Sequence, residues 1–96
     1  METTVAPTRR AAAIPRLIRV RPHVGLNLLL RFENGEQKLF DMNRIVSEGG
    51  PVFAPLADAE AFRQVGVVNN GGGIEWESGA DLSKESLYLG SARIFF

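Results

Sequence analysis

The chain has 96 residues, 45% of them hydrophobic, with no cysteine and with eleven basic residues balanced by eleven acidic ones. That size and composition suit one globular domain with a real core and exclude a disordered chain. They also exclude disulfides, cysteine nucleophiles and cysteine-ligated metals, and the lack of thiols fits a reducing cytoplasm.

No apolar run is long enough to span a membrane: the longest, Leu26–Leu30, is broken by Asn27. The first residues carry Glu2 and lack an apolar stretch of signal-peptide length, so no secretory signal is expected. The neutral total hides an asymmetry. Six arginines stand against one glutamate through Arg31, whereas residues 32–96 hold five basic and ten acidic residues. Either the two halves neutralise each other across one fold, or a basic arm meets an anionic partner.

Residues 1–15, "METTVAPTRRAAAIP", have no period and two prolines, and read as a flexible tail. The domain is expected over 16–96. "RLIRVRP" alternates as a strand, with Ile18 and Val20 on one face and Leu17, Arg19 and Arg21 on the other. A turn at "RPHVG" leads to a second strand, "LNLLLRF". Asn34-Gly35 then forms a hairpin turn of the two-residue type, which requires positive φ at both central positions. That turn sets a register with Phe32 opposite Gln37, Leu30 opposite Leu39 and Leu29 opposite Phe40. Leu26, Leu28, Leu30, Phe32 and Leu39 then share one sheet face, and Leu29, Phe40 and Met42 fall on the other. Both faces being partly apolar, a helix, a partner or a twin subunit must cover the second.

"DMNRIVSEGGP" reads as a strand end, a helical turn and a Gly-Gly-Pro break. Asp58 caps a short helix over 59–64. "VGVV" and "IEWE" are strands joined by "NNGGG", and Ser83 caps a last helix with Glu85 in its first turn. The terminal "RIFF" is costly to expose and is expected to dock. Strands first as a meander, then short helices, a second hairpin and a C-terminal helix define a small α+β domain with a largely antiparallel sheet.

Little in the chain resembles a chemical site. The Gly71–Gly73 run lacks the spacing of a phosphate-binding loop and precedes a strand, so it reads as a turn. Glu75 and Glu77 share a strand face opposite Trp76, with Asp81 nearby; the three could hold Mg²⁺ or Ca²⁺, or be a solvated face. Asp81 also suits an acceptor that fixes the way into the last helix. His23 is the only histidine, placed in a turn, and no serine sits in a nucleophile elbow. No catalytic, cofactor or metal residues are assigned. Arg19, Arg21 and Arg31, with Leu29 and Phe40, are the candidate partner-binding residues.

The stretches "LRFENGEQKLFDMN", "VFAPLADAEAFRQV" and "GGGIEWESGADLSKESLY" together resemble the small bacterial family catalogued as domain of unknown function 2442. The resemblance covers about Arg16 to Tyr88. Asn34, Gly35, Asp41, Pro55, Trp76, Gly79 and Asp81 are the structural motif residues expected in this chain. It implies the α+β order above and a cytoplasmic protein that stands alone or sits beside a helix-turn-helix domain. It also implies an encoded neighbour in a toxin–antitoxin-like arrangement, and it supplies no catalytic residues. The arginine- and alanine-containing tail and "RIFF" are additions to the pattern. Two functions are therefore expected: a non-enzymatic protein-interaction module, antitoxin-like or regulatory toward a small neighbouring protein and able to form a homodimer, or a nucleic-acid-binding accessory that uses the arginine segment.

Overall fold

The computed structural model of the protein describes residues 13–94. The expectation of a flexible tail falls mostly on residues outside that range, as do the last two residues of "RIFF". Strands β1 (Leu17–His23), β2 (Asn27–Phe32) and β3 (Gln37–Asp41) form an antiparallel meander. A two-residue strand, β7 (Ala92–Arg93), pairs with β3 and completes a four-stranded sheet of order β1-β2-β3-β7. A second antiparallel sheet holds β4 (Val65–Val68), β5 (Gly73–Trp76) and β6 (Asp81–Ser83) in that order. Between the sheets in sequence lie α1 (Asn43–Glu48), a 3₁₀ turn (Ala54–Ala57) and α2 (Ala59–Phe62), and α3 (Lys84–Gly90) links β6 to β7. The domain is thus α+β, as its strand-first order implies.

Each short helix starts where its sequence says it should. The Asp58 carboxylate accepts from the Ala61 amide at 3.0 Å, and the Ser83 hydroxyl accepts from the Ser86 amide at 3.2 Å. Asp41 does the corresponding work ahead of α1, accepting from the backbone and side-chain nitrogens of Asn43 at 2.9 and 2.8 Å. Pro55 occupies the first turn of the 3₁₀ segment, where its missing N–H costs nothing.

The core lies between the inner faces of the two sheets. Leu28, Leu30, Phe32 and Phe40 come from the meander, Ile74 and Trp76 from the second sheet, and Leu56, Phe62 and Leu87 from the helical segments. Trp76 is fully enclosed. Its indole N–H donates to the Phe62 carbonyl at 2.9 Å, and its ring stacks on that of Phe62 with centroids 6.1 Å apart. Gly71 closes the junction of the sheets: with φ +89°, it lies so near β1 that an added Cβ would be 2.7 Å from the Leu17 carbonyl oxygen. The "NNGGG" glycines turn the second hairpin, as their composition predicts.

The first hairpin differs from its expected register by one residue. Arg31, not Phe32, lies opposite Gln37; Leu29 faces Leu39, and Leu28 faces Phe40. The Gly35 amide donates to the Phe32 carbonyl at 2.9 Å, and the Phe32 amide to the Glu36 carbonyl at 3.0 Å. Only Gly35 of the Asn-Gly pair has positive φ, at +91°. This is a three-residue loop with a glycine bulge, favoured because Asn34 Oδ1 accepts from the Glu36 amide at 3.0 Å. One residue of slip exchanges the faces. Phe40 therefore enters the core with 6% exposure, and Leu39 turns outward with 37%. Met42 is likewise buried.

Two further expectations are corrected. A bulge between Leu17 and Arg19 breaks the alternation of β1. Leu17 is buried and Ile18 is 54% exposed, the reverse of the simple pattern. The first turn lies at Val24–Leu26, one step later than "RPHVG" suggests, and Leu26 there adopts φ +60°.

Candidate docking surface

The slip defines the outer face of the four-stranded sheet. Arg19 on β1 stands directly opposite Arg31 on β2, and Arg21 stands opposite Leu29, which pairs in turn with Leu39 and then Ala92. The three arginines are exposed, Leu29 is half-buried among its neighbours, and Leu39 is open to solvent. The helical segments give their buried residues to the opposite face.

Four other arginines have carboxylate partners. Arg16 pairs with Glu33 at 3.1 Å, Arg44 with Glu48 at 3.2 Å, Arg63 with Glu60, and Arg93 with Glu36. The Arg16 contacts hold the Glu33 carboxyl below the usual range. Arg16 also donates to Asn70 at 3.2 Å, so it joins the two sheets and does not belong to the outer row. Among the described residues, Arg19, Arg21 and Arg31 have no such carboxylate. Like charges directly opposite on neighbouring strands destabilise a sheet, so the Arg19–Arg31 pair is a cost carried at the surface.

Of the five candidate partner-binding residues, four lie together on this face: Arg19, Arg21, Leu29 and Arg31. The fifth, Phe40, does not, because the slip places it in the core. Leu39 takes its place. The Asn34 side chain, which selects the longer loop, is the sequence signal that would have found it.

The second sheet has a charged outer face of opposite sign. Glu75 lies between Gly66 and Asp81 in register. Asp81 is a strand residue rather than the acceptor that fixes the way into α3. The turn before it closes through the Gly79 amide to the Trp76 carbonyl and the Trp76 amide to the Ala80 carbonyl, both at 2.9 Å, and Ser83 supplies the cap. No group of three or more histidine, cysteine, aspartate or glutamate side chains is close enough to hold a metal ion among the described residues. A shallow trough of about 500 Å³ runs over this face, with Gly66, Val68, Glu75 and Glu77 in its lining. His23, opposite Asn27, is exposed at the end of β1. It borders an apolar cleft of about 330 Å³ between the first turn and α2. No helix among the described residues is long and apolar enough to cross a membrane.

No curated protein and no solved structure matches this chain. One family model does, described as "Protein of unknown function (DUF2442)", over residues 17–93. That span runs from the first residue of β1 to the last of β7 and so takes in both sheets and every helix. The chain belongs to the DUF2442 family.

Proposed function

We propose that this chain is a non-enzymatic protein-interaction module that works through the outer face of its four-stranded sheet. The observation behind this reading is the row of three arginines beside Leu29 and Leu39, which among the described residues meet no carboxylate partner and lie on a face that no helix covers. Such a face fits a protein surface with an apolar centre and carboxylates at its rim. Arginine forks suit carboxylates, and leucines excluded from water supply the binding energy. The edge of the sheet is a poorer site, since β1 carries Pro22, a bulge and charged side chains, the devices that block strand addition. The partner we propose is a small protein encoded beside this one, toward which the chain is antitoxin-like or regulatory in a bacterial cytoplasm, in keeping with what the family resemblance implies.

Co-expression with that neighbour, followed by native mass measurement, tests the proposal. The expected result is a hetero-complex that Arg19→Glu with Arg31→Glu weakens at least about tenfold. Two free proteins in the wild-type mixture would remove the proposal. A nucleic-acid role would show instead as affinity for DNA or RNA that falls steeply with salt. Among the described residues, His23 is the one aromatic ring on this face and stands at its end, too few for the successive stacking that single strands use.

A further inference from the structure

We propose that, when the neighbour is absent, the arginine face takes a second copy of this chain, which presents the outer face of its three-stranded sheet. The proposal rests on the reading of the arginine face as a docking surface and names a second chemistry for it.

Two like-charged pairs of opposite sign carry the argument. Arg19 faces Arg31 across β1 and β2, and Glu75 faces Asp81 across β5 and β6. Each pair opposes folding of the single chain. The surrounding pattern repeats as well. Arg21 follows Arg19 by two residues, and Glu77 follows Glu75 by two, so each face carries a triangle of three like charges on strand-pair spacing. Among the described residues, no ion pair engages any of these six, whereas Arg16, Arg44, Arg63 and Arg93 all find carboxylates. These two triangles of opposite sign thus lie on different sheets, with Asp41 at the end of the arginine face as the acidic exception.

Shape agrees with charge. Gly66 lines the trough beside Glu75 and Glu77, and a Cβ built there would meet nothing within 4 Å. Val68 lies two residues along the same face and is half-buried. Leu29 and Leu39 can rest over Gly66 and Val68 on the edge strand while the arginine forks reach the carboxylates on the two strands beside it. The two faces are different surfaces, so the contact is head-to-tail. It closes into a ring or extends as a chain according to its rotation.

Sedimentation of the full chain at rising concentration, in low and in high salt, provides the test. The expected result is a mass that grows with concentration at low salt and returns to the monomer at high salt, where exposed pairs are screened. Arg19→Glu with Arg31→Glu abolishes the association, and so does Glu75→Arg with Asp81→Arg. An equimolar mixture of the two variants restores it, because each then carries the face the other lacks. The single changes Arg31→Gln and Glu75→Gln weaken it several-fold and serve if either double reversal fails to fold. A wild-type monomer at all concentrations overturns the inference, and so does association that survives both reversals. Neither result touches binding of the neighbour, which the acidic-face variant retains if the arginine face docks that protein. Self-association without any neighbour complex would leave this inference standing and remove the other.

Discussion

The phenol of Tyr88 on α3 donates to the Glu36 carboxylate at the start of β3, joining the first hairpin to the last helix across 52 positions. Arg93 of β7 and Asn34 of the turn bind the same carboxylate. Lys38 donates to the Tyr88 carbonyl at 2.7 Å and sits 4.0 Å from the centre of its ring. The ring itself meets Phe32 edge-on, with centroids 5.0 Å apart. This cluster fixes the inner side of β3, while Leu39 on its outer side is exposed.

The Glu36 carboxyl is held at about 2, by the Tyr88 hydrogen bond first, then those of Asn34 and Arg93. A carboxyl lowered in the folded state stabilises the fold above its unfolded value, and that contribution is lost as pH falls toward the folded one. Urea midpoints should therefore be flat near neutrality and decline from about pH 4.5 toward pH 2. In Tyr88→Phe the decline should be shallower. The Tyr88 phenol is raised above 10, chiefly by the same bond to Glu36, so its contribution is present below that value and is lost in strong alkali.

Tyr88→Phe keeps the ring against Phe32 and removes only the hydroxyl. Loss of one hydrogen bond to a charged group should cost about 1.5–3 kcal/mol, read from urea unfolding at pH 7. Full wild-type stability in this variant would show that the cluster contributes nothing.

Trp76→Ala should cost about 3–5 kcal/mol, enough to unfold much of a domain this small at 25 °C. Trp76→Phe should cost less but leaves the Phe62 carbonyl without its donor. Tryptophan fluorescence cannot follow either variant, since Trp76 is the only tryptophan, so far-UV circular dichroism is the measurement.

Gly71→Ala should be more damaging than Gly50→Ala. Both glycines have φ near +90°, which costs a side chain roughly 1–2 kcal/mol. Only at Gly71 would the new Cβ also strike β1, 2.7 Å from the Leu17 oxygen, while at Gly50 it meets open space. Equal melting temperatures would show that the junction of the sheets yields.

Much of this fold can be read in the sequence because its signals are local. Asp58 and Ser83 cap by short-range hydrogen bonds, and Trp76 and Glu75 separate by simple alternation. What escaped is set by details that alternation does not carry. The Asn34 side chain lengthens a turn by one residue and exchanges Leu39 with Phe40. The bulge at Ile18 does the same to β1. β6 and β7 have three and two residues, too short for a period, and form because β5 and β3 offer them an edge. The outer face of the four-stranded sheet was therefore legible in its charges, Arg19, Arg21 and Arg31, but not in its apolar residues, where Leu39 replaces Phe40.

Arg31→Gln separates stability from function. Removing one member of the Arg19–Arg31 pair should raise the stability of the isolated domain by about 0.2–1 kcal/mol while weakening its complex. Loss of stability in this variant would mean that the arginine row supports the fold itself.

The most direct test is the affinity of the full chain for its encoded neighbour, measured side by side for the wild type and for Arg19→Glu with Arg31→Glu. A specific complex is expected with the first and at least about tenfold weaker binding with the second, both chains being folded. Equal affinity for the two would contradict the claim that this sheet face is where the protein works.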